Sequence, residues 1–132
     1  MPGYNVQNRK VNPMEKMEEY SETQGRTTID PGVLIKIAKL TALGVPGVSK
    51  MASGPHHVDN LLRKNYSDGI RVDVENNTVY ADLYLILNKD VDLYKTSQII
   101  QEKVSRAITE MVGMEVGKIN IHIEDIDYTT QS

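Results

Sequence analysis

Cysteine, phenylalanine and tryptophan are all missing from this 132-residue chain. Without cysteine there is no disulfide, no thiolate metal ligand and no thiol nucleophile, and the composition fits a reducing compartment. Without Phe or Trp, the seven tyrosines are the only large aromatics, so the core has to be aliphatic. Long hydrophobic runs are absent too. The most apolar stretch, 33–48, is interrupted by Lys36, Lys39 and Pro46, and the N-terminus lacks the charged-then-apolar pattern of a signal peptide. Nor does one sign of charge dominate: the net charge of −3 arises from interspersed acids and bases, so no general pull toward nucleic acid or anionic lipid is expected. These absences predict a soluble, cytoplasmic protein with no direct membrane insertion.

What the chain does have is aliphatic residues. Leu, Ile and Val supply 34 of the 132 positions, more than disordered chains carry, so a core is expected without metal or disulfide. Residues 1–24 are polar without sustained periodicity and read as a disordered or partly helical tail, with Asn12-Pro13 a local helix start. Residues 25–128 read as one domain and 129–132 as a short C-terminal tail. Within the domain, Thr27-Thr28-Ile29 suits a short edge strand over 26–29. Asp30-Pro31 starts a helix to about Leu43, and Gly44 is expected to end it in the left-handed conformation. That helix is apolar around most of its girth, so it lies deep in the domain or packs on another subunit. Val58, Leu61 and Leu62 fall at the spacing of a short surface helix.

Ile70, Val72 and Val74 then alternate with Arg71, Asp73 and Glu75, Asn76-Asn77 turns the chain, and alternation resumes from Val79 to Leu87. This is a β-hairpin, since period two places each apolar set on one face. Leu93, Ile100, Val104, Ala107, Ile108 and Met111 form one helical stripe that Gly113 ends, and Ile119, Ile121 and Ile123 make a final strand. The order α-β-β-α-β predicts a two-layer α+β domain, with the helices on one face of a small mixed three-stranded sheet. Whether the last strand pairs beside the second or the first hairpin strand stays open.

Several constellations invite a chemical reading. Tyr80, Tyr84 and Ile86 share one outer strand face, which suits a protein interface better than a base-stacking platform, because Asp73, Glu75 and Asp82 would repel phosphate. Lys36 and Lys39, the basic residues of the first helix, join them as candidate interface residues. Gly44-Val45-Pro46-Gly47 has the G-x-x-G form with which a KH domain clamps RNA; Gly44, Gly47, Lys50, Arg63 and Lys64 are the contacts of that alternative, a KH-like single-stranded RNA-binding domain. Against it, Pro46 removes an amide donor, and a helix stop and turn explains both glycines. His56-His57 lack the spacing and third ligand of a metal site, and the carboxylates near 90–92 and 124–127 sit at element ends where caps are common. No catalytic, cofactor or metal residues are assigned, and no enzyme is expected.

Read in order, Gly25-Arg26-Thr27-Thr28-Ile29, Ile37-Ala38, Gly47-Val48, Met51-Ala52-Ser53, the Gly69 strand, the strand from Val79 to Leu87, and Gln101 through Val104 resemble the alkaline shock protein family, the Gls-type envelope-stress proteins of Gram-positive bacteria. The resemblance implies a non-catalytic module that self-associates as a homo-oligomer, docks on a membrane-anchored protein partner and contributes to cell-envelope homeostasis. It implies no cofactor. The polar tail and Pro46 depart from the family pattern.

Overall fold

A computed structural model of the protein describes residues 28–53 and 66–129. In chain order these form α1 (Pro31–Leu43), β1 (Val48–Met51), β2 (Tyr66–Ser67), β3 (Ile70–Glu75), β4 (Thr78–Asn88), α2 (Leu93–Val112) and β5 (Glu115–Asp127). An aspartate starts each helix. The Asp30 carboxylate accepts from Gly32 N at 2.7 Å with Pro31 in the first turn, and that of Asp92 accepts from Lys95 N at 3.0 Å, each satisfying an amide the helix cannot. Gly113 ends α2 with φ 73°, as its position predicts. Gly44 does not behave that way. It stays right-handed at φ −82°, its amide donating to the Leu40 and Thr41 carbonyls, and the positive φ comes at Gly47, 102°. The helix thus tightens before it stops, and the chain reverses three residues later.

β4 is the spine of the sheet. β3 runs antiparallel beside Thr78 to Leu83 through a turn in which Asn76 and Asn77 both take positive φ, 53° and 63°. β1 pairs antiparallel with the other end of β4, at Leu85 to Leu87, so β3 and β1 lie end to end along one side of it. At their junction the Tyr84 amide donates to the Gly69 carbonyl at 2.8 Å, and its carbonyl accepts from Ala52 N at 2.7 Å. β5 runs parallel along the opposite side of β4, which settles the pairing the sequence leaves open. The expected α+β architecture and mixed sheet are present, and β1 and β2 extend the sheet to five strands among the described residues. Thr28 and Ile29 take no regular structure; 26 and 27 lie outside the described residues, as does the stretch of Val58, Leu61 and Leu62 expected to form a short surface helix, while Tyr66 belongs to β2.

Both helices cover one sheet face. Leu34 and Ala38 of α1, Ile100, Val104 and Ile108 of α2, and Val72, Leu83, Leu85 and Leu87 of the sheet are wholly removed from solvent. Each of these Leu, Ile and Val side chains contributes about 1.5–3 kcal/mol through burial, so this seam holds the layers together. The first helix is not enclosed all round. Val33, Leu40 and Leu43 remain exposed, Leu40 by 61%, and Val74 at the hairpin tip is exposed too, against the inward placement its alternation suggests.

Candidate functional site

Among the described residues, the opposite face of the sheet carries no helix. Strand alternation puts Tyr80, Asp82, Tyr84 and Ile86 of β4 on it, and register adds Arg71 and Asp73 of β3, Lys118, Asn120 and His122 of β5, Lys50 opposite Ile86, and Tyr66 opposite Arg71. Its centre is Asp82, whose side chain is only 14% exposed. One oxygen, Oδ1, accepts from Asn120 Nδ2 at 3.0 Å and lies 3.0 Å from His122 Nε2; the other, Oδ2, accepts from Arg71 Nη2 at 2.9 Å. Arg71 also reaches Asp73, Nη1 to Oδ2 at 3.5 Å. Residues from three adjacent strands are thereby tied to one carboxylate.

Burial of Asp82 opposes its ionisation, but the hydrogen bonds from His122, Arg71 and Asn120 and the Arg71 charge outweigh it and hold the carboxyl below the usual carboxylate range. The hydrogen bond to Asp82 is the main cause that raises the Arg71 guanidinium, with help from the Asp73 charge. Tyr84 lies flat against His122, ring centroids 4.5 Å apart and planes 13° from parallel. Burial, together with Asp82 and Glu124, pushes the Tyr84 hydroxyl up against the opposing pull of Arg71; burial, Tyr84 and Glu124 raise that of Tyr66, which donates to the Ser53 carbonyl. Tyr80 rests over Gly117, the extra residue of a bulge in β5. A Cβ there would stand 2.4 Å from the Tyr80 ring, so glycine is what lets the tyrosine sit down on the sheet. The face is therefore a fixed, mostly satisfied polar and aromatic surface.

The structure brings Tyr80, Tyr84 and Ile86 together on this face, as strand alternation indicates. Lys36 and Lys39 are elsewhere: both lie on α1, and Lys39 Nζ pairs with Asp68 at 3.4 Å. Lys50, weighed as an RNA contact, stands on the open face. In the Gly44 to Gly47 turn, the Gly44 and Val45 amides donate within the chain, as does that of Val48 just beyond it, and Pro46 has none. Arg63 and Lys64 lie outside the described residues. Alternation alone expects Arg71, Asp82, Asn120 and His122 on one face, as found, but their meeting at Asp82 and the place of Tyr66 escape sequence reasoning, since both depend on which strands become neighbours. Among the described residues, no group of three or more His, Cys, Asp or Glu is placed to hold a metal, and no helix is long and apolar enough to cross a membrane.

Among the described residues, helices on one side and a polar-aromatic sheet face on the other define a small α+β module. The sequence model of the alkaline shock protein 23 family, a family of cell envelope-related function, matches residues 19–128, and the chain belongs to that family. It is 28% identical over 127 residues to "Uncharacterized protein YqhY" of Bacillus subtilis (strain 168), covering 93% of each chain. To "Uncharacterized protein YloU" of the same organism it is 28% identical over 109 residues, covering 80% of this chain and 91% of that protein. Among solved structures, a MamM CTD aligns at 14% identity and a TM-score of 0.47, over 75% of this chain and all of that one, a likeness too loose to bear on function.

Proposed function

We propose that this chain is a non-catalytic interaction module of the cell envelope, which self-associates and docks on a membrane-anchored protein through its open sheet face. One observation carries the reading: that face presents Tyr80, Tyr84, His122 and Ile86 around a carboxylate already tied to three neighbours. An ordered surface of this kind loses little side-chain freedom when a partner covers it, and tyrosine, arginine and isoleucine supply apolar contact. The same arrangement is poor equipment for catalysis. Asp82 has both oxygens engaged and is held ionised, which leaves it neither a proton donor nor an effective base near neutral pH. The family's envelope-related function agrees with a docking role.

Charge introduced on this face tests the reading. Ile86→Glu and Tyr84→Glu are expected to lower the mass of the self-associated protein in light scattering while the circular dichroism spectrum stays unchanged. Ile86→Glu is the cleaner of the two, because Lys50 stands opposite to receive the new carboxylate. Unchanged mass in both variants removes the open face from self-association.

A further inference from the structure

We propose that the outer edge of β5 is a self-pairing site, along which two copies of this chain join antiparallel, centred on Ile121, into one continuous sheet. The inference rests on the self-association proposed above and gives it a second surface, apart from the open face. Among the described residues β5 pairs with β4 alone, so its other side is a sheet edge. Two hydrogen bonds show which backbone groups face outward. Gln101 Nε2, reaching from α2, donates to the Ile119 carbonyl at 3.0 Å, so that carbonyl is turned away from β4. Beyond the extra residue at Glu124, the Asp127 carbonyl accepts from Lys89 N at 3.2 Å and is turned toward β4. Because the N–H and C=O of one strand residue point to the same side and alternate along the chain, both observations agree. The outward groups belong to Ile119, Ile121 and Ile123, in the regular stretch between the bulges at Gly117 and Glu124.

That stretch complements itself. With Ile121 opposite its own copy, Ile119 faces Ile123, Asn120 faces His122, and Lys118 faces Glu124 twice, once on each side of the two-fold axis. Moving the centre one residue either way sets Lys118 against His122 or Ile126, and the charge match is lost. In the centred register the outward groups meet as hydrogen-bonded pairs and give about six new backbone hydrogen bonds. Lys118 and Glu124 are both exposed, and alternation along β5 from Lys118 through His122 puts Glu124 on the same face. On the helix side, half-buried Ile121 and Ile123 gain cover. A groove of about 500 Å³ between α2 and the start of β5, lined by Gln101, Ser105 and Ile119 among others, leaves room for Ile123 of the second copy. The Gln101 amide guards the edge in the single chain, and the Ile119 carbonyl has a second lone pair for the incoming strand.

The test uses the full chain in sedimentation velocity over a concentration series. Lys118→Glu and Glu124→Lys are each expected to weaken dimerisation by about one to two orders of magnitude, since like charges then lie opposite in both symmetric pairs, and the double swap should restore it. An association indifferent to Lys118→Glu, or a double swap that fails to rescue, overturns the edge pairing. If Ile86→Glu lowers the mass in that case, copies join through the open face alone and the proposed function survives. A chain that stays monomeric overturns the edge and self-association together, while partner docking on the open face is still judged by its own experiment. Loss of an extended peptide, not of a second copy, on Lys118→Glu gives the edge a different occupant and overturns the proposal equally.

Discussion

Asp82 concentrates the chemistry of the open face into one residue. Its folded pKa is depressed, so its contribution to stability is complete above the ordinary aspartate value and is lost as pH falls through the lower folded value. Wild-type protein should therefore lose stability through this group only below about pH 4. Asp82→Asn removes charge-assisted bonds to Arg71 and His122 and should cost about 1–3 kcal/mol near neutral pH, measured by urea denaturation, with a shallower acid limb than wild type. A variant equal to wild type in both respects would show that the network does not bear on stability. Arg71 keeps Asp73 as a partner in that variant, which limits the loss.

At the scale of elements, the end-to-end meeting of β3 and β1 beside β4 is the least forgiving point. Gly69 has φ 78°, and a Cβ there would lie 2.0 Å from the Ala52 carbonyl oxygen, backbone that cannot swing aside. Gly69→Ala is expected to destabilise by more than about 2 kcal/mol, read as a lowered urea midpoint; a cost under about half of that would mean the two strands separate easily. Sequence reasoning reaches some elements and misses others for reasons visible here. α2 is legible because its stripe runs from Leu93 to Met111 between an aspartate cap and Gly113, and the hairpin is legible because both strands alternate around Asn76-Asn77. β1 is not: Val48 to Met51 is short, lacks alternation, and becomes a strand only because β4 outruns β3. Gly44 misleads because glycine after a helix is read locally, whereas here the reversal is completed at Gly47. The Tyr80, Tyr84 and Ile86 row follows from period two alone. The Asp82 network does not, because it needs β5 laid parallel on the far side of β4 from β3, a long-range placement that alternation cannot specify.

Across the described residues of the molecule, one face of the sheet is spent on the core and the other is presented. The helices supply the buried aliphatic seam, and a chain without Phe or Trp places Tyr66, Tyr80 and Tyr84 on the presented side. Membership of a cell envelope-related family gives that division a setting, and the proposed docking role gives the presented face a use. Edge pairing along β5 would set two such faces side by side in one sheet and enlarge the surface offered to a partner.

The most direct test of the docking claim compares wild-type chain with Ile86→Glu, each isolated from native cell extract in mild detergent with and without nuclease, with co-isolated proteins quantified by mass spectrometry. The expected result is an envelope protein enriched with wild type, insensitive to nuclease and depleted with Ile86→Glu. Equal recovery with both chains, or co-isolation of RNA that nuclease removes in place of any protein, would contradict the account.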